Sequence, residues 1–190
     1  MIAVIGKIGV GKTTFLKNSG LDLNKVFFAD KFIENEYQKK GIIFEQIKSK
    51  IGIFLIENEQ VSKKRIRLWL NENNTNIDKL EKIIFPVIFD ELKNGNYAFV
   101  ELPVLFNKNI NFLPLFSAVL CLSTSEKKRQ KNLFKRNVNK LTIKALDAKN
   151  SPKIAKISLF SKITIVDIYG ENFLSTEQNK KNINLVQAII

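Results

Sequence analysis

The sequence predicts an α/β protein built on a mostly parallel five-stranded sheet. Short apolar runs alternate with segments in which apolar residues recur every three or four positions, the pattern of strands followed by helices. The 190 residues, 45% of them hydrophobic and 26% charged, suffice for one folded domain with a sizeable core. A glycine-rich segment directly after the first apolar run marks the expected ligand site.

Five apolar runs are the predicted strands. They comprise residues 2–5, 25–29, 97–100, 117–122 and 163–167. Cys121, the single cysteine, lies in the fourth run, where we expect a buried thiol. Ligands of open parallel sheets bind at the carboxyl ends of the strands. Asp30 and Glu101, which follow the second and third runs, are therefore candidate site residues.

Helices are predicted between the strands. The first begins at about residue 12, and residues 31–95 are expected to be largely helical. Within that region, residues 62–70 form an amphipathic segment, and Thr75 starts a variant capping box before a long helix that contains Pro86.

Three further helical segments are predicted after the fourth strand. A capping box at residues 123–126 opens a lysine-rich helix that reaches about Arg136. The polar, basic residues 137–152 are expected to form a mobile helical segment over the site. A capping box at Ser175 opens a last helix that extends to Ile190.

The segment Gly6–Thr13 fits the phosphate-binding loop pattern G-x-x-x-x-G-K-[ST] at every fixed position. The backbone N–H groups of such a loop and of the following helix start favour an anion. In this pattern Lys12 reaches the β- and γ-phosphates and the Thr13 hydroxyl holds Mg²⁺. The predicted ATP-binding residues are Gly6, Gly9, Val10, Gly11, Lys12, Thr13 and Thr14. A glycine-rich turn can follow a strand by chance, but the predicted strand before this one and the helix after it favour a nucleotide site.

The composition and the sequences after the predicted strands argue against several classes of function. The sequence has no histidine, which rules out histidine-based triads and histidine metal sites. A GTPase of the common kind needs a guanine-reading Asn/Thr-Lys-x-Asp after a strand, and none follows residues 118–122. The sequence after Glu101, Leu102-Pro103, is more typical of a rigid pocket wall than of the switch of an ATP-driven motor.

The formal charge of +13 comes mainly from lysines scattered through the chain. Because no arginine-rich stripe or aromatic ladder accompanies them, we expect no nucleic-acid partner, and the positive field would instead attract an anionic substrate. No apolar run approaches the ~20 residues of a membrane span, and no signal-peptide pattern separates Met1 from the first strand. We therefore expect a cytoplasmic protein without a membrane partner.

Four segments resemble motifs of the dephospho-coenzyme A kinases. Gly6–Thr14 matches the loop, and Phe28-Ala29-Asp30 is similar to the family's Asp-Ala-Asp. Leu80–Pro86 is similar to Leu-Glu-x-Ile-x-His-Pro, and Glu101–Phe106 to the start of Asp-Ile-Pro-Leu-Leu-Phe-Glu. The resemblance implies a three-layer P-loop kinase fold in a single domain, with a helical acceptor-binding insertion at residues 31–95 and a helical lid at about 136–155.

The resemblance also implies a reaction, the transfer of the γ-phosphoryl group of ATP to the 3′-hydroxyl of dephospho-coenzyme A with Mg²⁺ as cofactor. Asp30 takes the position of the family's base, and Arg136 that of a lid arginine that stabilises transition-state charge together with Lys12. The implied acceptor-binding residues are Asp30, Glu101, Pro103 and Leu105. Glu101 is also a candidate to hold Mg²⁺ through water. From the residues alone, Asp30 could equally be a helix cap, Glu101 a polar strand end and Arg136 a solvated side chain.

The chain departs from the family at five positions. Phe28, Phe85, Asn107, Asn132 and Ile168 replace the family's Asp, His, Glu, Arg and Asn, respectively. Asn132 is flanked by Arg129, Lys131 and Lys135, so the identity of the lid cation stays open. Two alternatives also stay open: another nucleoside-monophosphate-type P-loop kinase, and a degenerate, nonenzymatic ATP-binding module. The expected assembly is a monomer or a small homo-oligomer.

Overall fold

The structure is a computed structural model, and it describes residues 1–102, 105, 109–135, 147, 157, 159, 162–171 and 173–189. Two compact units make up the chain. A sheet unit comprises Met1–Phe28 and most of the residues after Asn96, whereas Ala29–Gly95 form most of a helical unit. The predicted lid segment lies almost entirely outside the described residues.

Among its described residues, the sheet unit contains five strands, all of which pair in parallel. In chain order they are β1 (Ile2–Ile5), β2 (Val26–Phe28), β5 (Phe99–Glu101), β6 (Ala118–Ser123) and β7 (Thr164–Tyr169). Their order in the sheet is β2-β5-β1-β6-β7. The register pairs Val4 of β1 with Glu101 of β5, so Glu101 lies at the carboxyl edge beside the start of the glycine-rich loop. The predicted parallel sheet is confirmed.

The helices of the sheet unit whose bounds lie within the described residues are α1 (Lys12–Lys17), α6 (Glu126–Lys135) and α7 (Thr176–Ile189). Phe15 and Leu16 of α1 and Val186 of α7 are at most 1% exposed and share one apolar cluster with β1 and β6. Burial of side chains of this size contributes about 1.5–3 kcal/mol each relative to exposure. This packing fixes α1, and therefore the end of the glycine-rich loop, against the sheet. Cys121 is buried in β6, as predicted.

The helical unit contains four helices and a small hairpin. The helices are α2 (Ala29–Glu36), α3 (Ile42–Lys50), α4 (Lys63–Glu72) and α5 (Asn76–Asn94). Ile43, Ile47 and Ile88 are fully buried between α3 and α5. The Ser62 hydroxyl accepts the Arg65 N–H at 3.4 Å and caps α4, whose predicted apolar face buries Ile66 and Trp69. Helix α5 continues past Pro86 to Asn94.

The hairpin corrects the prediction of a largely helical segment. Strands β3 (Ile56–Glu57) and β4 (Gln60–Val61) pair antiparallel around Asn58 and Glu59, whose φ angles of 50° and 60° are left-handed. The Val61 N–H donates to the Tyr37 carbonyl at 2.8 Å, which ties the hairpin to the end of α2. A two-residue turn of this kind usually carries glycine, which is absent here, and so the sequence gives little signal for it.

Several predicted boundaries were wrong. Ala29, predicted as the last residue of the second strand, does not extend β2, because α2 begins at Ala29. Asp30 therefore lies in the first turn of α2, where the helix dipole favours a carboxylate. The cap of α6 is Ser125 rather than Ser123, and its hydroxyl accepts the Lys128 N–H at 3.3 Å. Thr75 makes no side-chain cap on α5, since its hydroxyl donates to Asn73 instead. In the described part of the chain, no helix has the length and apolar character needed to cross a membrane.

Candidate active site

The loop from Gly6 to Gly11 joins β1 to α1, and two of its glycines are required by geometry. A Cβ atom on Gly6 would lie 2.5 Å from the Leu122 carbonyl oxygen, too close for any side chain. Gly11 precedes α1 with a φ of 102°, a left-handed conformation that glycine adopts without strain. These positions let the loop turn tightly at the carboxyl edge of the sheet and end in a helix N-terminus.

Lys12 reaches back across the loop. Its Nζ donates to the Gly6 carbonyl oxygen at 2.9 Å, which holds the amine on the concave side of the turn. Val10, a predicted loop residue, is 5% exposed and packs into the apolar cluster. Val10 therefore fixes the loop to the apolar cluster, and the charged Lys12 side chain lies against the loop backbone.

Thr13 and Glu101 form the second polar contact at the loop. The Thr13 hydroxyl lies 2.9 Å from both carboxylate oxygens of Glu101, to which it donates. The contact joins the first turn of α1 to the end of β5. A hydroxyl and a carboxylate are oxygen ligands of the kind that Mg²⁺ prefers. The residues present therefore fit a magnesium ion bound between Thr13, Glu101 and a phosphate.

Helix α6 holds the loop through two side-chain hydrogen bonds that were not predicted from the sequence. The Arg129 Nε donates to the Ile8 carbonyl at 2.9 Å, and the Asn132 Nδ2 donates to the Gly9 carbonyl at 2.8 Å. Both contacts direct loop carbonyls toward α6. Loop carbonyls held in this way leave the N–H groups of the turn free to face an anion.

Arg129 is 5% exposed and carries a buried charge. Its guanidinium also forms ion pairs with Glu126 and with Asp147. The hydrogen bonds to Gln130 and Arg129 hold the pKa of the Glu126 carboxyl below its usual value. Arg129 is thus committed to the loop and to two carboxylates. The neighbouring Lys131 and Lys135 are exposed.

Phe173 braces the other end of the loop. Its ring lies 3.2 Å from the position that a Gly11 Cβ would occupy and packs edge-on against Phe15, with centroids 5.3 Å apart. The side chains of Asn18 and Asn179 both donate to its carbonyl, at 3.1 and 2.9 Å. The buried Asn179 would have been recognisable from the sequence as a polar residue on the apolar face of a predicted helix.

The structure describes three of the five remaining predicted site residues. Leu105 is 4% exposed, and Thr14 is half-buried in α1. Asp30 belongs to the helical unit, whereas the loop belongs to the sheet unit. Pro103 and Arg136 lie outside the described residues, as does Asn107.

Asp30 lines a cavity of about 220 Å³ in the helical unit. Ile33, Tyr37 and Ile66 form its apolar walls, and Asp30, Glu34, Lys63 and Arg67 form its charged walls. Burial raises the pKa of Tyr37 to about 12, so its hydroxyl is neutral at physiological pH. A second cavity of about 480 Å³ shares Glu34, Tyr37 and Lys63 with the first. The helical unit therefore has two cavities with shared lining residues, and Asp30 lines the smaller one.

The parallel sheet and the phosphate-binding loop define the chain as a protein of the P-loop kinase fold. Solved structures share this fold. TT1252 from Thermus thermophilus matches with a TM-score of 0.68 at 17% identity, and the match covers 98% of this chain and 96% of TT1252. A dephospho-CoA kinase from Campylobacter jejuni matches with a TM-score of 0.56 at 19% identity, over 99% of this chain and 96% of that kinase. A shikimate kinase from Bacteroides thetaiotaomicron matches with a TM-score of 0.53 at 14% identity, over 98% of this chain and 97% of that kinase.

In sequence, the relatives of the chain are dephospho-CoA kinases. The one from Mycoplasma pneumoniae is 26% identical over 183 residues, which are 93% of this chain and 92% of the relative. The one from Rickettsia prowazekii is 29% identical over 180 residues, 88% of this chain and 91% of the relative. No family model matches the chain. The resemblance to the dephospho-coenzyme A kinases that the motifs predict is confirmed.

Proposed function

We propose that this chain is an ATP-dependent kinase that phosphorylates the 3′-hydroxyl of dephospho-coenzyme A, giving coenzyme A and ADP. The observation that carries the proposal is the contact between Thr13 and Glu101 beside Lys12, in a chain whose full-length relatives are named dephospho-CoA kinases. A loop of this kind binds the phosphates of the donor, and the names of the relatives support dephospho-coenzyme A as the acceptor.

On the donor side, the loop residues bind ATP. The N–H groups of Gly9, Val10 and Gly11 and the start of α1 face the phosphates, and Gly6, Thr13 and Thr14 complete the turn. Lys12 exchanges its hydrogen bond with the Gly6 carbonyl for the β- and γ-phosphates. This rearrangement moves a positive charge to the place where negative charge develops during transfer.

Thr13 and Glu101 are the residues that hold Mg²⁺, Thr13 through its hydroxyl and Glu101 directly or through water. When bound, the ion neutralises phosphate charge and fixes the geometry of the transferred group. Their mutual hydrogen bond keeps both oxygen donors at one edge of the sheet before the nucleotide arrives. Mg²⁺ commonly binds through one or two carboxylates plus substrate phosphates, and this pair supplies the protein share of such a site.

On the acceptor side, Asp30 accepts the proton of the 3′-hydroxyl. That oxygen forms a bond to the γ-phosphorus while the bond between the γ-phosphorus and the β–γ bridging oxygen breaks, and ADP leaves. Glu101, Pro103 and Leu105 complete the acceptor side, and Arg136 stabilises the charge on the transferred group. These roles rest on the resemblance and, for Asp30, on the cavity that it lines.

An acceptor panel tests the proposal. Purified protein with ATP and Mg²⁺ is given dephospho-coenzyme A, AMP or dTMP in turn, and ADP release is followed by a coupled assay. We expect release that depends on dephospho-coenzyme A and is abolished by Lys12→Ala. Turnover with AMP or dTMP alone would favour a nucleoside-monophosphate kinase. ATP binding without transfer to any acceptor would favour a nonenzymatic module, to which the replacements at Phe28 and Asn132 also point.

A further inference from the structure

The cations of helix α4 differ in how they are engaged. Lys63 forms an ion pair with Glu34. Arg65 donates to the Ile56 carbonyl at 2.7 Å and to Glu57 at 3.3 Å. Arg67 has no hydrogen-bond or ion-pair partner among the described residues, although it lines the cavity that contains Asp30. One guanidinium in this cavity is thus available to a ligand.

The charges of the cavity wall cancel only in part. Of its four charged residues, Glu34 and Lys63 neutralise each other. That leaves Asp30 and Arg67, and within the described chain Asp30 has no hydrogen-bond or ion-pair partner either. The cavity therefore presents one carboxylate and one guanidinium, with the apolar side chains of Ile33 and Ile66 between α2 and α4. A ligand that matches it carries a hydroxyl donor, an apolar surface and an anion.

A 5′-phosphorylated adenosine has these three parts. Its ribose hydroxyls suit a carboxylate, its sugar and base suit apolar walls, and its phosphate suits an arginine, which can bind two phosphate oxygens at once. Lys63 is a weaker candidate for the phosphate, since binding there would first break its ion pair with Glu34.

We propose that Arg67 binds the 5′-diphosphate of the acceptor in the cavity that Asp30 lines. The proposal rests on the proposed function, because Asp30 then faces the 3′-hydroxyl of the same ribose. Arg67 contributes to acceptor affinity and leaves ATP binding unaffected. Because Arg67 is exposed, its replacement removes no hydrogen bond or ion pair found among the described residues.

The test compares Arg67→Gln with Lys64→Gln, which removes the same charge from an exposed position of α4 that does not line the cavity. Calorimetry measures the binding of dephospho-coenzyme A, AMP and adenosine. Loss of a charge-assisted hydrogen bond is worth about 1.5–3 kcal/mol, so we expect Arg67→Gln to weaken dephospho-coenzyme A binding about 10- to 100-fold. Adenosine, which lacks a phosphate, should bind both variants and the wild type equally. Arg67→Lys should restore part of the lost affinity.

The outcomes separate this inference from the proposed function. If wild-type protein binds and phosphorylates dephospho-coenzyme A but Arg67→Gln binds it normally, the role of Arg67 is overturned and the function stands. If AMP is the acceptor and Arg67→Gln weakens only phosphorylated ligands, phosphate binding by Arg67 stands and the acceptor assignment falls. If wild-type protein binds neither phosphorylated compound, both are overturned. Equal loss of affinity in Lys64→Gln would show a general charge effect and also overturn the inference.

Discussion

The Thr13 hydroxyl donates to both carboxylate oxygens of Glu101, at 2.9 Å each, and so joins the start of α1 to the end of β5. Thr13 follows the loop lysine, and Glu101 lies in register with Val4 on the adjacent strand. A hydroxyl and a carboxylate are therefore held together at the end of the glycine-rich loop, and the proposed function makes them the Mg²⁺ ligands. The relationship unites a motif residue with a strand-end residue 88 positions further along the chain.

The first prediction concerns this pair. Thr13→Val keeps the shape of the side chain but removes the hydroxyl, whereas Thr13→Ser keeps the hydroxyl. We expect Thr13→Val and Glu101→Gln to raise the Mg²⁺ concentration needed for half-maximal activity about tenfold or more, since each loses an oxygen ligand or its charge. Titration of activity with Mg²⁺ measures this. The magnesium assignment is wrong if Thr13→Ser raises the Mg²⁺ requirement as much as Thr13→Val does. It is also wrong if Thr13→Val and Glu101→Gln both leave the Mg²⁺ requirement unchanged.

A second prediction concerns Arg129, which connects the loop to α6 and Asp147. Arg129→Gln should lower the free energy of unfolding by about 1–3 kcal/mol, because it removes a buried guanidinium that bonds the Ile8 carbonyl and the partly buried Asp147. It should also raise the KM for ATP, because the Ile8 carbonyl of the loop loses the hydrogen bond from Arg129 that fixes its position. Urea denaturation and steady-state kinetics measure the two effects.

Lys127→Gln is the matched control for Arg129, since Lys127 is exposed on the same helix. We expect it to behave as wild type in both measurements. A variant at Arg129 that loses stability but keeps the wild-type KM for ATP would restrict the residue to a structural role.

A third prediction follows from Tyr37, which is 7% exposed and whose pKa burial raises to about 12. Between pH 10 and 12 the folded state keeps the phenolic proton and the unfolded state loses it. Stability therefore falls as pH rises through this range, by up to about 2–3 kcal/mol at 1.36 kcal/mol per pKa unit. Denaturation of wild type and Tyr37→Phe at pH 9 and pH 11.5 measures it. The slope should be smaller in Tyr37→Phe, and equal slopes would refute the assignment.

The sheet and the loop were predictable because their causes are local. Buried parallel strands are continuous apolar runs, such as Ala118–Leu122, and a phosphate-binding loop needs fixed glycines. The sequence also predicts α4, because Ile66 and Trp69 recur on one face of an amphipathic segment.

The missed features depend on contacts between distant residues. Nothing near Arg129 or Asn132 indicates that their partners are loop carbonyls more than 120 positions away. The strands of the β3–β4 hairpin are two residues long and give no periodic signal. Ile168, which replaces an asparagine of the family, is explained by burial in the apolar cluster of the sheet unit.

The most direct measurement compares wild type with Asp30→Asn for ATP binding and for transfer to dephospho-coenzyme A. Asparagine keeps the size of the side chain but cannot accept the 3′-hydroxyl proton as a carboxylate does. We predict that ATP binds both proteins equally, and that coenzyme A, identified by mass spectrometry, forms at least about 100-fold more slowly with Asp30→Asn. Wild-type protein that forms no coenzyme A would contradict the proposed function, and an Asp30→Asn variant with normal turnover would contradict the role of Asp30 as the base.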